Sequence, residues 1–110
     1  MAVKLEPTGE GLTAFLAGEI DHHSARALRE QIDAAILRTK PKLVRLDFSG
    51  VGFMDSSGIG LVMGRYRLVS GYGGVLRVVG ASDRLLRVMK LAGLERLPVW
   101  EIKREEVHNV

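Results

Sequence analysis

The chain has 110 residues, of which 46% are hydrophobic and 26% charged, and its formal net charge at pH 7 is +3. This length and composition predict a single folded domain, residues 1–110, with one hydrophobic core. The chain has no cysteine, which excludes disulfides, zinc thiolate sites and cysteine nucleophiles. Its 16 basic residues form no tight cluster, so we expect no nucleic-acid partner.

No membrane or export signal is evident in the sequence. The opening "MAVKLEPTGEG" lacks the apolar core of a signal peptide. No apolar run approaches the roughly 20 residues that a helix needs to cross a bilayer. We therefore expect a soluble, cytoplasmic protein without a membrane partner.

The first twenty residues predict two strands. "AVKLEP" is typical of an edge strand limited by Pro7, and "GLTAFLAGEI" of a second strand with Phe15 on its outer face. Residues 9–11, Gly-Glu-Gly, predict a hairpin turn between them. The inner face of the second strand is predicted to carry Leu12, Ala14 and Leu16.

A helix, a strand and a second helix follow. "DHHSARALREQIDAAILRTK" has apolar residues at helical spacing, with Asp21 as candidate N-cap and Pro41 at the exit. "KLVRLDF" predicts an inner strand buried on both faces, and "SGVGFMD" a joint to a helix beginning near Ser57. The predicted apolar stripe of that helix is Ile59, Val62, Met63, Tyr66 and Val69.

The last part of the chain predicts one more strand and helix. "VLRVVG" is typical of a buried strand, and "SDRLLRVMKLAG" of a helix capped by Ser82 and ended by Gly93. A short strand is expected around Val99, and "KREEVHNV" as a frayed helix or tail. The buried stripe of the helix is predicted to be Leu85, Val88, Met89 and Ala92. Strands alternating with helices after an initial hairpin predict an α/β fold with a mixed sheet.

The segment "FMDSSGIG" holds the candidate functional residues, and four interpretations compete. In the first interpretation, Asp55 or Ser56 caps the helix. A cap does not account for both serines or for the three glycines Gly58, Gly60 and Gly64. The second interpretation is a serine hydrolase. The residues around the two serines do not match its G-x-S-x-G pattern, although a histidine is available for a triad. The third interpretation is a phosphate-binding loop, but the sequence contains neither G-x-x-x-x-G-K-[ST] nor a suitably placed G-x-G-x-x-G.

Phosphorylation is the fourth interpretation. A phosphoserine carries about −1.5 to −2 charges. A small exposed hydroxyl at a helix start would accept a phosphoryl group without unfolding the domain. We expect the amides of the helix to hold the resulting phosphate. The new charge would then switch docking on the surrounding surface.

The sequence resembles the STAS domain family, and more narrowly the bacterial anti-sigma factor antagonists, including the sporulation antagonist. The resemblance is carried by "GEIDHHSARALR", "FMDSSGIG", the trailing "GRY" and "AGLERL", in that order, over residues 12–100. It implies a single STAS-like domain with a mixed sheet of four to five strands and helices packed beside it. It also implies binding to an anti-sigma factor serine kinase of the GHKL type, with release of a sigma factor and no enzymatic activity.

The resemblance assigns roles to individual residues. Ser56, directly after the aspartate, is the implied phosphorylation site, with Ser57 as fallback acceptor, and a PP2C-type phosphatase would restore it. Asp21, Asp55 and Gly58 complete the expected partner-binding set, with Asp21 in a loop that the fold brings near Ser56. We expect no cofactor. We also expect no metal, because the adjacent His22 and His23 point in different directions on a helix.

Two departures from the family pattern and one alternative remain. The tail after Trp100 is short and charged, and the pI of about 9.6 is more basic than expected. Arg65 and Arg67 are read as solvated residues beside the core stripe in preference to partner contacts. The alternative function is a STAS scaffold or sensor module in a multi-protein stress-signalling assembly.

Overall fold

Four strands form one mixed sheet in the computed structural model, which describes residues 2–9 and 11–101. The elements are β1 (Ala2–Thr8), β2 (Gly11–Ile20), α1 (His22–Thr39), β3 (Leu43–Met54), α2 (Ser56–Gly71), β4 (Val75–Val79), α3 (Asp83–Leu91) and a 3₁₀ turn (Leu94–Arg96). The strand order is β1-β2-β3-β4, antiparallel between β1 and β2 and parallel elsewhere. The predicted α/β fold and mixed sheet are therefore confirmed.

The structure bears on the predicted hairpin turn near the start of the chain and on the predicted last strand and tail near its end. Thr8 lies opposite Gly11 in the β1–β2 ladder, as a hairpin requires, but Glu10 of the predicted turn lies outside the described residues. In place of a strand around Val99, a single parallel bridge joins Val78 to Trp100. The predicted tail falls on residues 103–110, which also lie outside the described part.

The core lies between the sheet and the helices α1 and α2, which also pack against each other. The inward face of β2 is as predicted, whereas the expectation that β3 is buried on both faces is wrong. Val44, Leu46 and Phe48 alternate inward, and Arg45 and Asp47 between them are half-buried on the other face. The remaining core side chains include Ile20, Leu28, Ile32, Ile36, Leu61, Val62, Val69, Leu76, Val78, Leu85, Met89 and Leu94.

The helix faces differ in detail from the sequence prediction. The buried positions of α2 differ from the predicted stripe, because Ile59, Met63 and Tyr66 are only half-buried. The buried residues are Gly58, Leu61, Val62, Arg65 and Val69. In α3 the cap is confirmed, because the Ser82 hydroxyl accepts a hydrogen bond from the Leu85 N–H at 3.2 Å. Gly93 has a φ of +87°, as its predicted left-handed position requires, but Ala92 is exposed.

Strand β3 is longer than predicted, and this extension positions the site. The segment read as a joint continues the strand to Met54, because Gly50, Val51, Phe53 and Met54 pair with residues 17–20 of β2. Gly50 permits the close approach of the strands there, since a Cβ would lie 2.8 Å from the Leu16 carbonyl oxygen. No helix among the described residues combines the length and apolar composition that crossing a bilayer requires.

Candidate functional site

Two helices begin side by side at one edge of the sheet. Ile20 and Met54 are paired residues at the ends of the parallel strands β2 and β3. The next residue in each case, Asp21 or Asp55, is the N-cap of a helix. The two turns are joined directly, because the Asp55 N–H donates to the Ile20 carbonyl at 3.1 Å. Strand register thus brings the Asp21 loop beside the start of α2.

Asp21 closes the start of α1 with a reciprocal capping box. Its Oδ1 accepts from the N–H groups of His23 at 3.0 Å and Ser24 at 2.9 Å. The Ser24 hydroxyl in turn accepts from the Asp21 N–H at 2.9 Å. The hydrogen bond from the Ser24 amide is the main cause that lowers the pKa of Asp21 below its usual range. The predicted cap is confirmed, and Asp21 is a fixed anion at this edge.

Asp55 caps α2, which settles the choice between Asp55 and Ser56. Its Oδ1 accepts from the Ser57 N–H at 2.8 Å, and its carbonyl accepts from the Gly58 N–H at 3.0 Å. These two amides of the first turn are therefore already occupied. In this conformation neither amide is free to hold a phosphate on Ser56. That amides of the helix start hold such a phosphate stays a prediction.

Ser56 is the first residue of α2 and is exposed. Its hydroxyl makes no hydrogen bond to any residue in the described ranges 2–9 and 11–101. Ser57 is half-buried, and its backbone is held by the cap. Of the two serines, Ser56 is thus the more exposed.

The glycines of α2 serve different purposes. A Cβ on buried Gly58 would lie 2.7 Å from the Sδ and 3.1 Å from the Cβ of Met54, so a side chain there would force Met54 to shift. Gly60 and Gly64 are different, since a Cβ on either would meet no atom within 4 Å beyond its chain neighbours and the backbone of its own helix. Packing on its own sheet therefore accounts for Gly58 but not for the other two.

Two residues near this edge were not recognised from the sequence. Phe53, near the end of strand β3, is 49% exposed and offers a large apolar surface beside the site. Arg65, predicted to be solvated, is only 6% exposed. Its position four residues after Leu61 and four before Val69, in the centre of the buried stripe, was the signal that it faces inward.

Arg65 is held by α1. Its Nε lies 2.7 Å from Asp33 Oδ1, and its Nη2 donates to Asp33 Oδ2 at 3.3 Å. Nη1 donates to the Leu61 carbonyl at 3.3 Å. Burial lowers the pKa of Arg65, and the Asp33 carboxylate opposes that shift. This ion pair ties α1 to α2, the two helices whose starts form the site, whereas Arg67 is exposed as predicted.

The chemistry available at this edge is that of an exposed hydroxyl next to two capping carboxylates. His22 and His23 are exposed at the start of α1, with ring centroids 5.9 Å apart. Neither is hydrogen-bonded to a serine hydroxyl, and His108 lies outside the described residues. No group of three His, Asp or Glu side chains within the described part is placed to hold a metal ion.

Residues 3–108 match the STAS domain. The anti-sigma F factor antagonist of Paenibacillus polymyxa is 32% identical over 102 residues, which cover 92% of this chain and 87% of that protein. The solved structure of the anti-sigma factor antagonist SpoIIAA in its unphosphorylated form is 33% identical, with a TM-score of 0.79 over 98% of this chain and 94% of that one.

SpoIIAA is also solved in a phosphorylated form, as a Bacillus cell fate determinant. That structure is 33% identical to this chain, with a TM-score of 0.72 over 98% of this chain and 97% of that one. The relatives support the role of an anti-sigma factor antagonist. With the STAS match over nearly its whole length and a fold shared with SpoIIAA, the chain belongs to the STAS domain family.

Proposed function

We propose that this protein is a phosphorylation-controlled binding module that docks on an anti-sigma factor serine kinase of the GHKL type and thereby releases the sigma factor. The kinase transfers the γ-phosphoryl group of ATP to the Ser56 Oγ, which loses its proton, and ADP leaves. The phosphorylated form binds poorly, and a PP2C-type phosphatase hydrolyses the ester to restore the hydroxyl. The protein acts in the cytoplasm and has no catalytic activity or cofactor of its own.

One observation carries this proposal. The Ser56 hydroxyl is exposed at the first position of α2, and no hydrogen bond to another described residue occupies it. The helix start around it is already fixed by Asp55 and Gly58. A kinase therefore reaches the hydroxyl without unfolding the domain. The phosphorylated form of SpoIIAA, a chain 33% identical to this one, supports the same switch.

The charges at this edge support inhibition by phosphorylation. Asp21 and Asp55 already place two carboxylates at the paired helix starts, and a phosphate on Ser56 adds about −1.5 to −2 more. Like unit charges about 6 Å apart repel each other by about 0.7 to 3 kcal/mol at effective dielectric constants between 80 and 20. Repulsion between the phosphate and one acidic group of the partner at this distance thus lowers the affinity by a factor between about three and a little over one hundred.

The experiment is phosphorylation by the anti-sigma factor kinase of the same organism with ATP, followed by peptide mapping. We expect phosphate on Ser56 in the wild type and in Ser57→Ala, and none in Ser56→Ala. Both variants retain the Asp55 cap, so their folds serve as matched controls for each other. Phosphate on another residue, or none at all, contradicts the proposal. Recovery of a stress-signalling assembly without a kinase by affinity capture would favour the scaffold function.

A further inference from the structure

A groove runs between α1 and α2 and opens next to the site. Its volume is about 480 Å³. His22, Arg26 and Arg29 form its α1 wall, and Ser57 begins its α2 wall. We call this feature the α1–α2 groove. Since Ser57 directly follows the exposed Ser56, the groove is continuous with the proposed phosphorylation site.

The α1–α2 groove is positively charged. No residue that lines it is acidic, and three of its lining residues are arginines. Arg26 is partly neutralised by Glu30 at 3.2 Å, and Arg65 by Asp33. Arg29 is exposed and makes no ion pair or hydrogen bond to a residue of the described ranges. Arg29 and Arg65 line the same groove, and the charge of Arg29 contributes to the lowered pKa of Arg65.

Gly60 and Gly64 also line the α1–α2 groove. Each has open space where a side chain would lie, and glycine disfavours a helix relative to alanine at both positions. The fold itself therefore gives no reason for either glycine. A bare helix backbone does allow the main chain of another molecule to approach closely.

We propose that the α1–α2 groove binds an acidic segment of the protein's partner, with Asp or Glu side chains paired to Arg29 and Arg26 and its main chain over Gly60 and Gly64. Charge complementarity selects this occupant, since a cationic or purely apolar segment would leave Arg29 unpaired. This inference rests on the proposed function and adds the chemistry of the partner. It also explains the direction of the switch, because a phosphate on Ser56 at the end of the groove repels an acidic segment.

The first experiment measures the dissociation constant of the kinase for charge-reversal variants. Arg29→Glu is expected to raise it by about tenfold or more. Arg67→Glu is the matched control, since Arg67 is exposed on α2 but does not line the groove, and we expect a change below about twofold. Gly60→Ala is expected to weaken binding while raising the melting temperature. Equal effects of Arg29→Glu and Arg67→Glu in a protein that binds the kinase overturn the inference.

A second experiment separates this inference from the proposed function. Wild-type protein that does not bind the kinase contradicts the proposed function, and the groove is then decided by NMR titration with a synthetic peptide of alternating glutamate and alanine. Shifts of the Gly60 and Gly64 amide signals that Arg29→Glu removes and Arg67→Glu retains support the groove. Absence of such shifts, or shifts spread evenly over the surface, overturns it.

Discussion

Removal of the Asp33 carboxylate tests whether α1 and α2 are tied together as described. In Asp33→Ala, Arg65 keeps its charge at 6% exposure but loses the oxygens at 2.7 and 3.3 Å. Removing one partner of a buried ion pair typically costs 3–5 kcal/mol. Because the Asp33 side chain is itself 27% exposed, we expect the low end of that range, about 3 kcal/mol. For a domain of this size, that lowers the melting temperature by roughly 12 °C.

Urea denaturation followed by circular dichroism measures this loss. The matched control is Glu30→Ala, which removes the carboxylate of the Arg26–Glu30 pair on the same helix, where the two side chains are 78% and 63% exposed. That pair contributes about 0.3–0.5 kcal/mol. The double variant Asp33→Ala/Arg65→Met should recover most of the loss, since it leaves no buried charge. Equal stabilities of Asp33→Ala and Glu30→Ala would refute the account of the buried pair.

Three further predictions concern the helix starts. Gly60→Ala should raise the free energy of unfolding by about 0.5–1 kcal/mol. Gly58→Ala should lower it by about 1–2 kcal/mol, because the added methyl group clashes with Met54. Effects of the same sign in denaturant titrations would contradict the packing described. Asp55→Ala should cost about 1 kcal/mol as a lost cap, and an unchanged urea midpoint would argue against that cap. The lowered pKa of Asp21 stabilises the fold above the unfolded pKa of about 3.8, and this stabilisation is lost as the pH falls through the folded value. Asp21→Asn should therefore show a shallower acid-side loss of stability than wild type, and identical pH profiles would contradict this.

The local features of the site were predictable because they depend on neighbouring residues. Asp21 precedes a helical apolar pattern, and its carboxylate has the right length to cap the first turn, so sequence alone identifies it. Ser82 was recognised for the same reason. The glycines near "SGVGFMD" suggested a loop, but pairing with β2 overrides that local preference and continues β3 to Met54.

The missed features depend on contacts distant in sequence. Burial of Arg65 requires the carboxylate of Asp33, 32 residues earlier on another helix. The helical period places residue 65 on the buried face of α2. The charge of an arginine normally argues against burial, however, unless an oppositely charged partner is known. The α1–α2 groove likewise depends on how Arg29 of one helix faces Gly60 of the other. The resemblance to a family identified Ser56 as the acceptor, and that role stays a prediction.

The central claim is that Ser56 acts as a removable negative charge on a docking surface. Its most direct test is the dissociation constant between the anti-sigma factor kinase and this protein in two preparations, unmodified and quantitatively phosphorylated on Ser56. We predict that phosphorylation raises the dissociation constant by about tenfold or more and that phosphatase treatment reverses the change. Equal affinities of the two forms would contradict the account.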